Sequence, residues 1–240
     1  MKKAMISALP DLGYAGSEAV NTVCSNLMFS GKNIKTIVVT SCEPNDGKTF
    51  TSMQVAFNMA KRGKKVLLVD ADLRLSQMNA RYGIELIGSG TGMTHFLSGQ
   101  CALEEALYET NIPNTFLLPI GRAVQAPLSL IATTDFSDMI QTVRQSFDFV
   151  VIDAPPVGLV IDAAEIAKCC DGSILVVTYS DTHVRALREA KQQMERTGTP
   201  ILGCILNKVP LERITSKKYK YGKYGYYAYS QQHEKHESFS

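Results

Sequence analysis

Residues 36–49 read TIVVTSCEPNDGKT: a β-branched apolar run, then a polar loop that ends in Gly47-Lys48-Thr49. A helical pattern over Thr49–Arg62 follows directly, with its apolar residues on one stripe. A strand, a loop and a helix in this order form the setting of a phosphate-binding loop, whose backbone N–H groups and helix N-terminus bind phosphate oxygens. In such a loop Lys48 reaches the β- and γ-phosphates and the Thr49 hydroxyl binds Mg²⁺. The segment therefore predicts a site for ATP and Mg²⁺.

The loop departs from the strict pattern G-x-x-x-x-G-K-[ST], because Cys42 stands where that pattern has a glycine. An ordinary strand-to-helix turn with a solvated lysine is therefore an alternative interpretation of this segment alone. Gly47 favours the phosphate loop, since glycine lets the backbone turn close to a nucleotide. The predicted nucleotide contacts are Pro44, Asn45, Asp46, Gly47, Lys48, Thr49 and Phe50.

Two further apolar runs end in aspartates. Residues 66–74 read VLLVDADLR and residues 149–156 read FVVIDAPP. Ligands of open α/β sheets bind at the carboxyl ends of parallel strands, and a carboxylate there can hold Mg²⁺ directly or through water. Asp70 and Asp72 would point to the same face of a continuing strand. A single strand-end aspartate is often a cap, but Asp70, Asp72 and Asp153 beside a phosphate loop favour a metal site.

Short apolar runs alternate with helical patterns along the chain, which predicts an α/β fold of the P-loop NTPase type. Its mostly parallel central sheet would be flanked by helices and joined by right-handed crossovers. A helix over Ser17–Phe29, with Ser17 as its N-cap, precedes the first strand. The predicted strands are Thr36–Thr40, Lys65–Val69, Thr115–Leu118, Phe149–Ile152, Ser173–Thr178 and Ile201–Leu206. The later helices are Asp135–Ser146, Asp162–Cys170 and Thr182–Thr197.

The end of the chain differs in composition from the rest. Residues 213–227 contain five basic residues and no acidic ones, and neither a helical nor a strand period organises them. We expect a flexible, tyrosine-rich tail over residues 213–240, after an N-terminal segment and helix (1–34) and a nucleotide-binding domain (35–212). A solvating tail, or an aromatic stacking surface for nucleic acid, is the alternative.

Composition narrows the class of protein. The net charge of +2 gives no nucleic-acid signature, so no nucleic-acid partner is expected. The six cysteines form no C-x-x-C pair, which is typical of reduced thiols in the cytoplasm. No apolar run approaches the ~20 residues that span a bilayer, so membrane recruitment would need a partner.

The motifs at 40–49 (TSCEPNDGKT), 70–74 (DADLR) and 153–156 (DAPP), followed by the tyrosine cluster, resemble the bacterial tyrosine kinases, or BY-kinases. The resemblance runs from about Ser17 to the C-terminus and is greatest for the short form of Gram-positive bacteria. It implies a cytoplasmic, autophosphorylating kinase of capsule or exopolysaccharide synthesis, recruited to the inner face of the plasma membrane. The implied partners are a transmembrane activator or chain-length protein of the export system, a cognate tyrosine phosphatase, and further copies of the chain in a ring or smaller oligomer.

The same resemblance implies a role for each matching residue. Lys48 binds the phosphates; Thr49 and Asp72 hold Mg²⁺ with help from Asp153; and Asp70 receives the tyrosine proton. A tyrosine hydroxyl has a pKa near ~10, so a base or a metal must assist its reaction. The implied phosphate acceptors, on a neighbouring subunit, are Tyr219, Tyr221, Tyr224, Tyr226, Tyr227 and Tyr229. Separately, Asn207 at the end of the last apolar run would bind the adenine edge or form a simple turn.

The chain departs from the family pattern at a few positions. Asn45 stands where the family usually has glycine, which implies backbone strain in the loop. In the family's Glu-x-x-Arg-x-x-Arg ring-assembly pattern, Glu18 is kept while Asn21 and Cys24 occupy the arginine positions. Ser129 stands where glutamate is common. These changes bear on ring assembly and the level of activity more than on the ATP site.

Two other functions remain open from the sequence. A positioning ATPase of the same superfamily, of the type that places division sites or segregates plasmids, usually carries a second loop lysine where this chain has Glu43. Such ATPases also lack a terminal tyrosine cluster. The other alternative is a degenerate regulator that binds nucleotide without catalysis.

Overall fold

A nine-stranded sheet organises the computed structural model, which describes residues 1–210. Its helices and strands follow in chain order: β1 (Lys2–Ile6), α1 (Gly13–Phe29), β2 (Thr36–Ser41), α2 (Lys48–Lys61), β3 (Val66–Asp70), α3 (Met78–Tyr82), β4 (Ile84–Ile87), α4 (Met93–Leu97), α5 (Leu103–Ala106), β5 (Tyr108–Thr110), β6 (Thr115–Leu118), α6 (Leu128–Ile131), α7 (Thr134–Ser146), β7 (Phe149–Asp153), α8 (Asp162–Ala167), β8 (Gly172–Thr178), α9 (Val184–Glu195) and β9 (Ile201–Asn207).

The strand order is β4-β1-β5-β6-β3-β7-β2-β8-β9. All neighbouring pairs are parallel except β1–β4 and β5–β6. The predicted α/β fold with a mostly parallel sheet is therefore confirmed. Because β3, β7 and β2 are neighbours and parallel, their carboxyl ends meet at one edge, where the phosphate loop and the aspartate-ended strands come together.

Apolar side chains cover both faces of the central strands. Along β2, Ile37 and Val39 belong to one core cluster while Val38 belongs to the other, as the two-residue period of a strand requires. Helices α1 and α2 pack on the first face, and α7, α8 and α9 on the second. The central strands are buried on both faces, which explains why they form continuous apolar runs in the sequence.

Three strands are additional to those predicted. β1, β4 and β5 have three to five residues each, and only part of each strand is buried. They are the first three strands at one end of the sheet, in the order β4-β1-β5. β1 belongs to the N-terminal segment, and it pairs with both β4 and β5. The division of the chain at residues 34 and 212 stays a prediction.

The prediction that Ser17 caps the first helix is wrong. The helix begins four residues earlier, at Gly13, whose N–H donates to the Asp11 carboxylate at 2.8 Å. The sequence signal was ambiguous because Asp11 and Ser17 are both residues that favour N-caps. Among residues 1–210, no helix is both long and apolar enough to cross a lipid bilayer.

Candidate nucleotide and phosphoryl-transfer site

The phosphate loop links the end of β2 to the start of α2 through two residues in the left-handed region. Asn45 has φ 65° and Gly47 has φ 96°. A Cβ atom at Gly47 would lie 2.0 Å from Asn207 Nδ2, so only glycine fits there. Asparagine tolerates the left-handed region better than most residues, which accounts for Asn45 at a position where the family usually has glycine.

Asp46 shapes the loop from within. Its carboxylate, 3% exposed, accepts hydrogen bonds from the Glu43 N–H at 2.9 Å, the Thr178 hydroxyl at 2.8 Å and the Thr182 hydroxyl at 3.1 Å. Asn207 Nδ2 donates to the Asp46 carbonyl at 2.8 Å. Asp46 and Asn207 therefore brace the loop backbone, and a contact between Asn207 and adenine stays a prediction.

The predicted carboxylates gather around Lys48. Lys48 Nζ lies 3.0 Å from Asp72 Oδ2 and 3.4 Å from Thr49 Oγ1. Asp153 accepts a hydrogen bond from Ser52 at 3.1 Å. Asp70 is 2% exposed, Asp72 6% and Asp153 1%. The sheet edge thus places three buried carboxylates beside the lysine and threonine of the phosphate loop.

Asp70 and Asp72 do not share a continuing strand, because β3 ends at Asp70. The Asp70 carboxylate accepts a hydrogen bond from Ser76, whereas Asp72 accepts one from the Leu75 N–H at 3.1 Å and faces Lys48. The loop after β3 therefore turns the two carboxylates toward different partners. Ser76 and Ser52 are site residues that the sequence analysis missed, since neither belongs to a motif.

Negative charge is in excess at the site. Burial, followed by the nearby Asp153 carboxylate, raises the pKa of Asp70 to about 8. Burial also raises the pKa of Asp153 to about 6, although Lys48 opposes the change. Burial lowers the pKa of Lys48, but Asp153 and Asp72 outweigh it and the net direction is upward. These shifts indicate that Lys48 alone does not neutralise the buried carboxylates, so a further cation fits the site.

The donor chemistry fits Mg²⁺ in particular. Carboxylate and hydroxyl oxygens are hard ligands, and Mg²⁺ is typically bound by one or two carboxylates together with water and substrate phosphates. In the part of the chain that the structure describes, no group of three or more His, Cys, Asp or Glu side chains is arranged to hold a metal ion by itself. An open set of oxygens that a nucleotide completes is consistent with both observations.

A cavity of about 270 Å³ opens between three walls. The phosphate loop forms the first wall with Pro44, Asn45, Gly47, Lys48 and Thr49. The segment after β3 forms the second with Asp72, Arg74, Leu75, Ser76, Gln77 and Arg81. The segment around and after the end of β7 forms the third with Asp153, Pro155, Pro156, Leu159 and Val160. Of the predicted nucleotide contacts within residues 1–210, Asp46, Phe50 and Asn207 do not line this cavity.

An ion pair that the sequence analysis did not predict joins the second wall to helix α8. Arg74 Nε lies 2.7 Å from Asp162 Oδ2, and Arg74 Nη2 lies 2.9 Å from Asp162 Oδ1. Asp162 is fully buried, so the pair is a bidentate anchor at the start of α8. Arg74 was visible as part of its motif, but sequence offers no signal that pairs it with a residue 88 positions away.

The positions at which the chain departs from the family pattern outside the phosphate loop make contacts within the chain itself. Asn21 accepts a hydrogen bond from Asn58 at 2.6 Å and donates to Glu18 at 2.8 Å. Cys24 is 0% exposed, with Sγ 3.9 Å from the Val55 carbonyl, and burial raises its pKa to about 12. Ser129 Oγ donates to the Ala126 carbonyl at 2.7 Å. Cys24 therefore faces the core rather than a neighbouring subunit.

The six predicted acceptor tyrosines, Tyr219 to Tyr229, lie outside the described residues.

Sequence comparison places the chain among known kinases. Residues 34–196 match the family described as AAA domain. Tyrosine-protein kinase CpsD of Streptococcus pneumoniae serotype 4 is 43% identical over 195 residues, which cover 81% of this chain and 85% of that protein. Tyrosine-protein kinase YwqD of Bacillus subtilis is 29% identical over 219 residues, covering 90% of each.

Solved structures give the same assignment. The chimeric protein CapA2B2 superposes with a TM-score of 0.78 at 26% identity, covering 86% of this chain and 93% of that one. The kinase domain of the Escherichia coli tyrosine kinase ETK gives 0.78 at 25% identity, covering 85% and 81%. The TM-score is lower, 0.62 at 25% identity, for the septum site-determining protein MinD of Pyrococcus horikoshii in complex with Mg-ADP. That match covers 75% of each chain. The chain belongs to the bacterial tyrosine-protein kinases, in the group that includes CpsD of Streptococcus pneumoniae.

Proposed function

We propose that this kinase transfers the γ-phosphoryl group of Mg·ATP to tyrosines in the C-terminal tail of a neighbouring copy, and to other proteins. Through this reaction it regulates the polymerisation and export of a capsular polysaccharide or exopolysaccharide. One observation carries the proposal: Lys48 and the buried carboxylates Asp70, Asp72 and Asp153 converge at the phosphate loop. That arrangement supplies both the positive charge and the metal ligands that phosphoryl transfer needs.

Each residue has a defined task in this proposal. Lys48 binds the β- and γ-phosphate oxygens, and the loop N–H groups at the start of α2 bind their neighbours. Thr49, Asp72 and Asp153 hold Mg²⁺, which neutralises charge on the phosphates when it is bound. Positioning and charge neutralisation account for most of the catalysis in phosphoryl transfer, so this small set of groups is sufficient.

Asp70 is the proposed base. The tyrosine O–H proton passes to the Asp70 carboxylate while the phenolic oxygen forms a bond to the γ-phosphorus and the bond to ADP breaks. A carboxylate with an ordinary pKa is a weak base toward a phenol whose pKa is near ~10. The raised pKa of Asp70, about 8 without nucleotide, narrows that gap, and a cation bound beside it would favour the ionised form that accepts the proton.

The proposed partners follow from the family. They are a transmembrane activator or chain-length protein of the polysaccharide export system, a cognate tyrosine phosphatase, and other copies of the chain in a ring or smaller oligomer. The activator would recruit the kinase from the cytoplasm to the inner face of the plasma membrane. The names of the relatives, tyrosine-protein kinase CpsD and putative tyrosine-protein kinase CapB, support the kinase activity that these partners would serve.

A positioning ATPase is the second candidate, because MinD complexed with Mg-ADP shares the fold. Glu43 disfavours it, since such ATPases usually carry a lysine at that loop position. A degenerate nucleotide-binding regulator is disfavoured by the presence of Lys48, Asp70, Asp72 and Asp153 together.

The test is a phosphopeptide map of the full chain after incubation with Mg·ATP and the activating membrane-protein fragment, beside the Lys48→Met variant. We expect phosphate on tail tyrosines of the wild type and none on the variant. Release of ADP without phosphotyrosine would instead identify a positioning ATPase. Binding of ATP with neither product would identify a regulator.

A further inference from the structure

Two leucines at the mouth of the cavity are exposed to solvent. Leu75 on the second wall is 71% exposed and Leu159 on the third wall is 64% exposed. Ile161, two residues after Leu159, is 48% exposed. Exposed large apolar side chains that cluster at one place, rather than singly, mark a binding surface. The two leucines line the same cavity as Lys48 and Asp72, so the surface belongs to the active site.

The Arg74–Asp162 ion pair links the two segments that carry these apolar side chains. Leu75 directly follows Arg74, and Ile161 directly precedes Asp162. The bidentate geometry, with N–O distances of 2.7 and 2.9 Å, fixes the segment after β3 against the start of α8. Leu75 is also tied to the metal-site carboxylate, since its N–H donates to Asp72 at 3.1 Å. The cavity mouth is therefore a preformed slot rather than two independent loops.

The strand order places this slot at the γ-phosphate end of the nucleotide. β2 leads into the phosphate loop, β7 and β3 lie on one side of it, and β8 and β9 lie on the other. The carboxylates that would hold Mg²⁺ come from the β7 and β3 side, and a metal held there would neutralise the phosphate that is transferred. Both leucines follow these same two strands, whereas Asn207, the candidate adenine contact, ends β9. The slot thus lies where the group that accepts the phosphoryl must enter.

We propose that Leu75 and Leu159 bind the ring of the acceptor tyrosine, presented by the tail of a second copy, and that they are specificity-determining residues for the kinase. The inference rests on the proposed function. A tyrosine ring is an apolar body with a polar tip, so its ring packs between the leucines while its hydroxyl points inward to the carboxylates. A serine or threonine acceptor has no ring to fill the slot, and its shorter side chain would not bring its hydroxyl to the carboxylates.

The experiment separates acceptor binding from nucleotide binding. The donor is the full-length kinase labelled with ¹⁵N, and the acceptor is the unlabelled full-length Lys48→Met chain, so mass spectrometry assigns each phosphate to its chain. The donors compared are wild type, Leu75→Ser/Leu159→Ser, and Leu75→Met/Leu159→Met. Ile87→Ser is the matched control, since Ile87 is 52% exposed on β4 at the far edge of the sheet. A glutamine pair replaces the serine pair if serine lowers the melting temperature.

We expect the polar double variant to raise the KM for the acceptor chain about tenfold, a factor equivalent to about 1.4 kcal/mol. Its KM for ATP should stay within about twofold of wild type, and the methionine pair and Ile87→Ser should behave like wild type. An unchanged acceptor KM overturns the inference, as does a parallel rise in the KM for ATP, which would assign the leucines to the nucleotide. Wild-type donor that releases ADP without phosphorylating the acceptor overturns the proposed function instead.

Discussion

Lys48 and Asp72 form an ion pair across the cavity, with Nζ and Oδ2 3.0 Å apart and both side chains largely buried. The lysine proposed to bind phosphates and the carboxylate proposed to bind the metal therefore neutralise each other. In the proposed function, a bound nucleotide would draw Lys48 to its phosphates and leave Asp72 available to Mg²⁺. Phosphate binding and metal binding would then be coupled through this one contact.

The coupling predicts the behaviour of Asp72→Asn. Without the carboxylate, Lys48 has one partner fewer and the site is less negative, so the affinity for metal-free ATP should equal or exceed that of wild type. The factor by which Mg²⁺ raises the affinity for ATP should fall about tenfold or more, because the Asp72 carboxylate is lost as a metal ligand. Titration of a fluorescent ATP analogue with Mg²⁺ and with EDTA measures both. Asp138→Asn, an exposed change on α7, is the control, and a full Mg²⁺ effect in Asp72→Asn would contradict the metal role.

Lys48→Met should abolish tyrosine phosphorylation while leaving the chain folded. Lys48 is the positively charged residue of the first wall. Loss of one preorganised charge beside the phosphoryl group in transfer lowers the rate by about 10²–10³. The measurement is incorporation of phosphate into tail tyrosines at saturating Mg·ATP. Lys61→Met, at the exposed end of the same helix, should retain the wild-type rate. If both variants lost phosphorylation equally, the cause would be the lower net charge of the protein and not the position of Lys48.

The central part of the fold was predictable because its strands are buried on both faces. β2, β3, β6, β7 and β8 form continuous apolar runs bounded by turn residues, and all were predicted within one or two residues. The edge strand β9 was predicted as closely from its apolar run, although none of its residues is buried. β1, β4 and β5 are short and only partly buried, so they give no such run. Their pairing depends on long-range contacts, such as Ala4 with Leu86, that a local pattern does not contain.

The residues of the site also divide into some that the sequence predicts and some that it does not. Lys48, Thr49, Asp72 and Asp153 stand at strand ends and at a helix start, where sheet topology alone brings them together. The partners that orient the site come from elsewhere in the sequence and follow no spacing rule. Tertiary packing brings Asp162 to Arg74, and it brings the Thr178 and Thr182 hydroxyls to the Asp46 carboxylate.

Asp70 should make the nucleotide-free protein less stable as the pH rises. Its pKa is about 8 in the folded chain against an ordinary 3.8, so between these values the unfolded chain is ionised while the folded chain keeps a proton. The unfolded state then binds fewer protons, and the free energy of unfolding falls as the pH rises through this window. Asp70→Asn removes the titrating group, so it should raise the melting temperature at pH 8.5 by about 3 °C or more, with little change at pH 4.

Thermal melting without ATP or Mg²⁺ at the two pH values checks this prediction, with Asp138→Asn as the exposed control. The same Asp70→Asn chain should lose tyrosine phosphorylation, because it lacks the base. A variant that is less stable than wild type at pH 8.5 would show that the Ser76 hydrogen bond outweighs the burial of charge.

Asp46→Ala should loosen the phosphate loop. The substitution leaves the Glu43 N–H and the Thr178 and Thr182 hydroxyls without their common acceptor in a buried setting. Unsatisfied buried groups cost about 1–3 kcal/mol each, so we expect the free energy of unfolding to fall by about 3 kcal/mol and the affinity for ATP to fall with it. Urea denaturation and nucleotide titration measure the two effects. Asp138→Ala is the matched control, and an unchanged ATP affinity would exclude Asp46 as the loop's brace.

Cys24→Arg introduces an arginine at a position that the resemblance assigns to ring assembly, yet here it should destabilise the chain. Cys24 is 0% exposed between α1 and α2, so an arginine would bury an unpaired charge or force the helices apart. We expect the free energy of unfolding to fall by more than about 3 kcal/mol, a large fraction of the 5–15 kcal/mol typical of a domain. Thr22→Arg, an exposed change on the same helix, should stay within about 0.5 kcal/mol of wild type. Urea denaturation with light scattering checks both stability and assembly. A stable Cys24→Arg chain that forms larger oligomers would show that α1 can turn this position outward to a neighbouring copy.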